Sequence, residues 1–455
     1  MPAASSELIA AQWQSRFGGP LLFPSHPDFP SATKIWNGMI ERTPALIARC
    51  TSANDVAAAI ALAKVEQLPV SVRGGGHGVA GNAVCQDGLM IDLSPMKSIA
   101  VDAENRELTA GPGVLWGEFD KAAEAHGLAT TGGQVTHTGI AGLTLGGGLG
   151  WLAGKHGAVV DNLLETQLVT ASGEILTASE AENPDLFWAI RGAGANFGVV
   201  TSFRYRLHPL PGVLAGLLIH PRDRAQELIA FYQEFLAGTP DELETAVALL
   251  NGPDGSPISA IVVVYSGPVE EGERVLAPLR KFGPPLADMI QPMPYTAAQS
   301  MLDFLAPIGN RYYWKSNFVN KLSPGLADVL KHGADAMPSP RSLILLFEVK
   351  GAICRVPKDA MAFDHRDANF EMSIIAEWTE RADDAANIAW AREVWGAAQP
   401  YVAPAVYVNH MTADETRERV LSSYGKEKYE KLAKLKSKYD PDNLFRLNHN
   451  ILPQA

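Results

Sequence analysis

The densest chemical signal in the sequence is the run Arg73–Gly78, which reads R-G-G-G-H-G and directly follows the β-rich stretch LPVSV. Glycine has no Cβ, so the backbone N–H groups of such a run can approach a ligand closely and converge on an anion such as a phosphate. The spacing differs from the G-x-G-x-x-G of dinucleotide-binding folds. The run therefore indicates another kind of phosphate-bearing cofactor, and a tight structural turn is the alternative interpretation.

Two further glycine clusters follow, in the segments Thr130–Gly157 and Arg191–Val200. The glycines of the first are Gly132, Gly133, Gly139, Gly142, Gly146, Gly147, Gly148 and Gly150. Glycines spread through an apolar stretch weaken any helix or strand, which favours loops pressed against a ligand. Three separate clusters predict a long cofactor with several polar and flat parts.

Alternating helices and strands must position these loops from Ala45 to about His208. Apolar spacing predicts helices in TSANDVAAAIALAKVEQ and VLWGEFDKAAEAHG, and strands in GLMIDLS, SIAVDAENRELTAGPG, LLETQLVTASG and FGVVTSFRYRLHPL. After a boundary near Pro211, helices are predicted in AQELIAFYQEFLAGTP and AAQSMLDFLAP, and strands in SAIVVVYSG, SLILLFEVKGAI and FEMSIIAEW. A third segment begins near Val402 and contains the charged helix EKYEKLAKLKSKYD.

Length and composition narrow the function. The 455 residues suffice for two or three domains, and 50 acidic against 38 basic residues argue against a nucleic-acid binder. The three cysteines are widely spaced and predict neither a disulfide framework nor a metal site. No stretch approaches the roughly 18 apolar residues of a membrane span, and no signal peptide is apparent. We therefore expect a cytoplasmic protein with a small-molecule partner.

Five ordered segments closely resemble the berberine-bridge-enzyme-like flavoprotein oxidases of the vanillyl-alcohol-oxidase or para-cresol methylhydroxylase superfamily. They are VRGGGHG, TGIAGLTLGGGLGWL, DNLLETQLVTASGE, NPDLFWAIRGAGANFGVVTSF and KYDPDNLFRLNHNI. The resemblance covers nearly the whole chain and implies an α+β fold. In it, residues 1–211 and 402–455 form an FAD-binding domain of the para-cresol methylhydroxylase type. Residues 212–401 form an inserted substrate domain, an antiparallel sheet flanked by helices.

The resemblance also implies FAD, bonded covalently through His77 to the 8α carbon of the flavin. Many relatives add a cysteinyl link, but the corresponding position here is Val135, so one covalent link is expected. Thr138 occupies the position where oxygen approaches the flavin in relatives, although a hydroxyl that caps the loop explains it equally well. The expected cofactor-binding residues are Arg73, Gly74, Gly75, Gly76, His77, Gly78, Thr138, Gly139, Gly142, Gly146, Gly148, Gly198, Val200, Asn448 and Asn450.

The catalytic candidates are Tyr407, His410 and Glu371. Relatives often carry a tyrosine base in a Y-x-N-Y element, but here the element ends in His410. Histidine can accept a proton near neutral pH, and the alternative is a packing role. Glu371 matches the carboxylate or amide of plant members after one assumed deletion, and its alternative is a solvated strand residue. The cluster YYWKSNF around Lys315 is either a pocket flank or a core strand.

The predicted function is an FAD-dependent oxidase that transfers hydride from an alcohol, an amine or a natural-product intermediate, with molecular oxygen as the second substrate. Two alternatives stay open. The chain could be a flavin-binding protein that sequesters a ligand without turnover, or a dehydrogenase with a non-oxygen acceptor. The expected assembly is a monomer or a homodimer.

Overall fold

The structure is a computed structural model that describes residues 3–454. The first layer is a four-stranded sheet with the order β1-β2-β4-β3, in which β2, β4 and β3 run parallel. Its strands are β1 (Leu21–Leu22), β2 (Leu46–Arg49), β3 (Val70–Arg73) and β4 (Leu89–Asp92). Its helices are α1 (Ala3–Trp13), α2 (Phe29–Ala32) and α3 (Ala53–Val65).

Helix α3 illustrates how the sequence sets the glycine run in place. The Ser52 hydroxyl accepts the backbone N–H of Asp55 at 3.2 Å and caps the helix. Val56, Ala59, Ile60 and Ala63 then recur at helical spacing and are buried. The chain returns through β3, and the glycine run begins where that strand ends.

The second layer is an antiparallel sheet with the order β5-β6-β10-β8-β9, and β7 pairs separately with β11. The strands are β5 (Ile99–Asp102), β6 (Glu107–Ala110), β7 (Leu128–Ala129), β8 (Leu163–Val169), β9 (Ile175–Ser179), β10 (Val199–Arg206) and β11 (His208–Pro209). The helices are α4 (Trp116–Glu124), α5 (Ile140–Leu145), α6 (Ala153–His156) and α7 (Pro184–Ala193).

The third layer is an eight-stranded antiparallel sheet with the order β15-β12-β14-β13-β18-β19-β17, with β16 also paired to β12. The strands are β12 (Val213–Pro221), β13 (Leu243–Asn251), β14 (Pro257–Tyr265), β15 (Ala287–Asp288), β16 (Gln291–Met293), β17 (Arg311–Val319), β18 (Leu343–Glu348) and β19 (Phe370–Trp378). The helices are α8 (Ala225–Leu236), α9 (Val269–Lys281), α10 (Tyr295–Gln299), α11 (Pro324–Asp335), α12 (Ala352–Arg355) and α13 (Asp384–Ala398).

The two faces of this sheet have different neighbours because side chains alternate along a strand. On β19, Phe370, Met372, Ile374 and Ala376 pack into one core with helices α8, α9, α11 and α13. Ile375 faces the opposite way and belongs to a separate core with residues of the segment 129–160. The sheet therefore covers the second glycine cluster with one face and its own helices with the other.

The chain ends with α14 (Arg417–Tyr424) and α15 (Lys426–Tyr439). Buried side chains of this segment, among them Val406, Tyr424 and Leu432, share a core with β6, α4 and β10. Phe445 packs in the core of the first sheet. The last fifty residues thus contact the first two layers, beside the glycine-rich loops.

The structure confirms the predicted α+β class and the helices α3, α4, α8 and α15. It corrects AAQSMLDFLAP, where only Tyr295–Gln299 is an α-helix and Asp303–Leu305 is a short 3-10 turn. Strands β12 and β13 are not among the predicted strands, although Pro211–Gly212 directly precedes β12 and Asn251–Gly252 marks the end of β13. Within residues 3–454, no helix combines the length and apolar character needed to cross a bilayer.

Candidate active site

A cavity of about 1300 Å³ lies between the glycine-rich loops and the third sheet. We call its two sides the glycine wall and the sheet wall. The glycine wall comprises the cavity-lining residues within 70–93, 134–149 and 192–200. The sheet wall comprises the lining residues of β12, β13, β14, β17, β18 and β19 with their loops. Tyr407–Met411, Tyr424, Phe445 and Leu447–His449, from the C-terminal segment, complete the lining.

Close backbone approach in the glycine wall requires glycine at particular positions. A Cβ on Gly75 would lie 2.5 Å from Cα of Gly139, so the first two glycine segments touch through their backbones. A Cβ on Gly146 would lie 2.1 Å from Oδ1 of Asn409. In contrast, a Cβ on Gly78 or Gly142 would meet no protein atom within 4 Å. The wall is thus tightly assembled at the back and open toward the cavity.

His77 lies in the glycine wall within a stack of rings. Its imidazole is 4.3 Å from the Trp36 ring, and Trp36 is 3.8 Å from the Tyr312 ring, all nearly parallel. Nε2 of His77 is 3.1 Å from Nδ1 of His137. Burial, and then the nearby His137, lower the pKa of His77 to about 3. His77 is therefore a neutral imidazole with a fixed ring plane.

His410 meets a buried carboxylate where the C-terminal segment crosses the sheet. His410 lies in the short turn Val408–His410, and its Nδ1 is 2.9 Å from Oε1 of Glu371 on β19. The hydroxyl of Ser373 donates to the same carboxylate at 2.9 Å and lies 3.1 Å from Nδ1 of His410. Trp314 packs edge-on against His410 at 5.0 Å. A carboxylate on Nδ1 favours the tautomer with hydrogen on that nitrogen.

Tyr407 is fixed rather than free. Its hydroxyl oxygen accepts the backbone N–H of Gly148 at 2.8 Å and the side-chain N–H of Asn409 at 2.8 Å. Burial, as the largest cause, raises the pKa of Tyr407 above its ordinary value. The side chain therefore stays protonated and ties the C-terminal segment to the second glycine cluster.

The charged lining residues belong to one wall of the cavity. Among the described lining residues, Asp254 and Glu377 are the only carboxylates, and Arg341 is the only lysine or arginine. All three belong to the sheet wall or its loops. A glycine wall without lining carboxylates suits an anionic ligand, because no like charge opposes it.

Most of the predicted site residues lie in the cavity lining. They are Gly74, Gly75, Gly76, His77, Gly78, Thr138, Gly139, Gly142, Gly146, Gly198, Val200, Tyr407, His410 and Asn448. Their binding and catalytic roles stay predictions.

Four predicted residues lie outside the lining, and each has a physical reason. Arg73 turns its guanidinium away to pair with Asp92 at 2.6 Å. Gly148 lies behind the wall, where its N–H holds Tyr407. Glu371 lies behind His410 with 1% of its surface exposed. Asn450 lines a smaller neighbouring cleft of about 480 Å³.

The aromatic cluster of β17 divides between the two faces of the sheet. Trp314 lines the cavity. Lys315 faces the other way, 2.7 Å from Glu415 and 3.4 Å from Asp414, so it is a buried structural cation and not a pocket residue. The prediction from sequence concerned the strand as one unit and did not single out Trp314. Side chains alternate along a strand, which places Trp314 and Lys315 on opposite faces.

Side-chain alternation could also have identified Ser373 and Glu377, because both face the same side of β19 as Glu371. Trp36 carried no comparable signal, because its place beside His77 depends on a contact between distant loops. No cluster of three His, Cys, Asp or Glu side chains able to hold a metal ion occurs in residues 3–454.

The cavity fits a long cofactor with an anionic part and a flat part, as FAD has. The space in front of Gly78 and Gly142 accepts a ligand where any side chain would intrude. In the C-terminal part of the lining, Asn448 has a buried Oδ1 without a hydrogen-bond partner, an acceptor that a bound molecule can satisfy. The residues present therefore match the chemistry of the cofactor that the sequence implied.

Comparison with known proteins gives an independent result. Residues 44–179 match a family described as an FAD binding domain, and residues 406–452 match one described as berberine and berberine like. An FAD-linked oxidoreductase of Dictyostelium discoideum is 31% identical over 93% of this chain and 92% of its own length. The (R)-6-hydroxynicotine oxidase of Paenarthrobacter nicotinovorans is 32% identical over 96% and 97%.

The solved structure of 6-hydroxy-D-nicotine oxidase from Arthrobacter nicotinovorans superimposes with a TM-score of 0.89 at 31% identity. The match covers 96% of this chain and 98% of that one. The glycine-wall residues within 70–93 and 134–149 fall in the first matched range, and the lining residues of the C-terminal segment fall in the second.

Proposed function

This chain belongs to the berberine-like FAD-linked oxidoreductases, and on that premise we propose that it is an oxidase of small organic molecules. The proposed substrate gives up a hydride from a C–H bond and a proton from an adjacent O–H or N–H, and molecular oxygen is the final acceptor. The His410–Glu371 pair carries the proposal, because His410 lines the same cavity as His77 and has a carboxylate 2.9 Å from its Nδ1. Bound FAD supplies the hydride acceptor.

His410 is the proposed proton acceptor. With hydrogen on Nδ1 directed at Glu371, the lone pair of the imidazole lies on Nε2. Proton transfer to that nitrogen leaves an imidazolium beside the buried carboxylate, where opposite charge stabilises it. Glu371 does not line the cavity, so we assign it a positioning role, and Ser373 holds its carboxylate in place.

His77 is the proposed site of covalent flavin attachment, and the only one. A neutral imidazole whose Nε2 contacts His137 leaves Nδ1 as the available nucleophilic nitrogen. Val135 occupies the position where relatives carry a second link. Among the described lining residues no cysteine occurs, since Cys50 and Cys85 are buried elsewhere and Cys354 is exposed.

We further propose the division of the chain at about residues 211 and 402, with a flavin-binding unit built from both ends. The support is the shared core of the C-terminal segment with β6, α4 and β10. The segment from β12 to α13 has its own core between the third sheet and its helices.

Anaerobic mixing of the flavin-loaded protein with a donor panel tests the oxidase proposal. The panel contains benzyl alcohol, glucose, cellobiose, a cyclic secondary amine and 6-hydroxynicotine, the compound in the name of one relative. We expect one donor class to bleach the flavin absorbance and oxygen to restore it. Bleaching that oxygen does not reverse would indicate a dehydrogenase. Tight binding of donors without bleaching would indicate a ligand-sequestering protein.

A further inference from the structure

Glu377 is a buried acid in the sheet wall that the proposed reaction does not use. It lies on β19 opposite Tyr312 of β17, on the same face as Ser373 and Ile375. Glu377 as a whole is 1% exposed. Its Oε1 accepts a hydrogen bond from Asn310 at 2.7 Å and lies 3.9 Å from Nη1 of Arg341. Its Oε2 is buried without any hydrogen-bond partner among residues 3–454.

An unpartnered buried carboxylate oxygen is costly, so its retention needs an explanation. A packing role alone does not supply one, because an apolar residue would fill the same volume without the cost of desolvation. The backbone of Glu377 is held by Ser342, whose hydroxyl accepts its N–H at 3.2 Å. The side chain is therefore presented from a fixed strand and not from a mobile loop.

A second unpartnered polar atom lies in the same wall. Nε1 of Trp314 is a buried indole donor with no acceptor in the described part of the chain. Trp314 pairs across the sheet with Ile375, one step along the face from Glu377, and its ring touches His410. Ile375 lies between Ser373 and Glu377 on the same face of β19, and the lining of the neighbouring strands β18, β13 and β14 is apolar, with Leu343, Leu345, Ala248, Leu250 and Ala260.

The spacing along β19 fixes the length of ligand that this wall can hold. Ser373 contacts His410, and Glu377 follows four residues later. At roughly 3.3 Å per residue, about 13 Å of strand separates the two positions. A molecule that reacts beside His410 and also reaches Glu377 must be elongated, with an apolar middle.

We propose that Glu377 forms a second substrate subsite, which binds a hydrogen-bond-donating group, an ammonium or a hydroxyl, at the end of an elongated apolar substrate remote from its reacting carbon. The proposal rests on the proposed function for the position of the reacting end. The donor bonds to Oε2 and satisfies it, while Asn310 and Arg341 retain Oε1. The side chain of Arg341 is 52% exposed and lies 3.9 Å from Oε1, so solvent reaches the edge of this subsite.

Three biphenylmethanols test the subsite, with an aminomethyl, a hydroxymethyl or a methyl group in the para position of the second ring. All three present the same benzylic alcohol and differ only in the remote group. Binding to the flavin-loaded protein is measured by equilibrium dialysis, and flavin reduction is measured separately. We expect the aminomethyl or the hydroxymethyl probe to bind about 10- to 100-fold more tightly than the methyl probe, as for a hydrogen bond to a charged group.

Glu377→Gln preserves volume and removes the charge, and exposed Glu380→Gln on the same segment is the matched control. The preference for an aminomethyl group should vanish in Glu377→Gln and persist in Glu380→Gln, with methyl-probe affinity unchanged in both. A preference for the hydroxymethyl group should shrink and not vanish, because the amide oxygen of glutamine still accepts. These two patterns distinguish a cationic from a neutral substrate end.

Equal binding of the three probes to the wild type, a comparison that needs no variant, would overturn the subsite. An aminomethyl preference that persists in Glu377→Gln, or a hydroxymethyl preference that does not shrink in it, would also overturn the subsite. Probes that bind with the expected dependence on Glu377 but leave the flavin oxidised would instead count against the proposed reaction at His410, while the subsite stands.

Discussion

The glycine wall and the sheet wall of the cavity differ in the part of the chain that they present to a ligand. The glycine wall presents backbone, since the backbones of Gly75 and Gly139 touch and the space beside Gly78 and Gly142 is free of protein atoms. The sheet wall presents side chains, and their partners come from separate segments, as with His410 and Glu371. A backbone site tolerates one ligand shape, whereas a side-chain site can change its substrate by substitution on an unchanged strand. The first wall suits the part of the ligand that does not vary, and the second suits the part that does.

The largest effect should come from a substitution of His77, the histidine of the glycine wall. His77→Ala should abolish acid-stable flavin entirely, because we expect no second attachment residue in the cavity. Acid-precipitated wild-type protein should remain yellow, and the variant pellet should be colourless while the native variant still binds FAD. Exposed His126→Ala is the control. A yellow His77→Ala pellet would mean that another residue carries the link.

The next effect concerns the sheet wall. His410→Ala should slow flavin reduction by about 10²- to 10⁴-fold, which is typical for the loss of a general base. FAD content should be unchanged, because the glycine wall is intact. Stopped-flow reduction with the best donor measures the rate, and His332→Ala on the outer helix α11 is the control. A wild-type rate in His410→Ala would show that solvent or another group accepts the proton.

Glu371→Gln sharpens the same comparison with a smaller effect. We expect a loss of about 10-fold in the reduction rate, because His410 remains but its imidazolium loses the opposite charge. Glu371→Asp, which keeps the carboxylate, should restore the reduction rate in part, and Glu371→Gln should leave the FAD content unchanged. A wild-type rate in Glu371→Gln would show that Glu371 only packs.

Gly75→Ala tests whether the glycine wall depends on the close approach of two backbone segments. The added Cβ would meet Gly139 at 2.5 Å, and neither backbone can move cheaply. We expect a loss of roughly 3 kcal/mol in the free energy of unfolding and weaker FAD retention. Gly238→Ala is the control, because its Cβ meets no atom within 4 Å. Equal chemical denaturation midpoints for the two variants would contradict the close approach of the two loops.

The last effect concerns stability alone and lies where α4 of the second layer packs against α10 of the third. Asp120 on α4 accepts a hydrogen bond from Gln299 on α10 at 2.9 Å, and burial raises the pKa of Asp120 to about 7. The unfolded chain loses this proton near pH 4 and the folded chain near pH 7, so stability falls as pH rises between them. From pH 5 to pH 7 the loss is on the order of 2 kcal/mol.

Urea midpoints measured at both pH values test this, with Asp120→Asn as the variant. The amide cannot ionise, so the slope should largely disappear in Asp120→Asn and the two midpoints should converge. Glu124 and Tyr295 are the neighbouring titratable groups. A wild-type slope retained in the variant would assign the effect to other groups.

The sequence by itself determined the α+β class, the helices with clear caps and periodicity, and the glycine wall. Glycine runs such as Arg73–Gly78 indicate a close backbone approach from their own sequence, so this feature can be predicted without knowing what they contact. His77 lies within the same run, but its expected role comes from the family resemblance and stays a prediction. Arg73 shows the limit of this reasoning, because its neighbours in sequence suggested a ligand while its folded partner is Asp92.

The tertiary structure alone decided the sheet wall. Whether Glu371 faces solvent, substrate or another residue depends on β19 pairing with β17 and β18, and on the C-terminal turn that brings His410 within 2.9 Å across the chain. The sequence does not distinguish Glu377 from other strand glutamates, and only the fold shows that it lines the cavity. These contacts join residues tens to hundreds of positions apart, and local periodicity specifies which face a side chain occupies but not what covers that face.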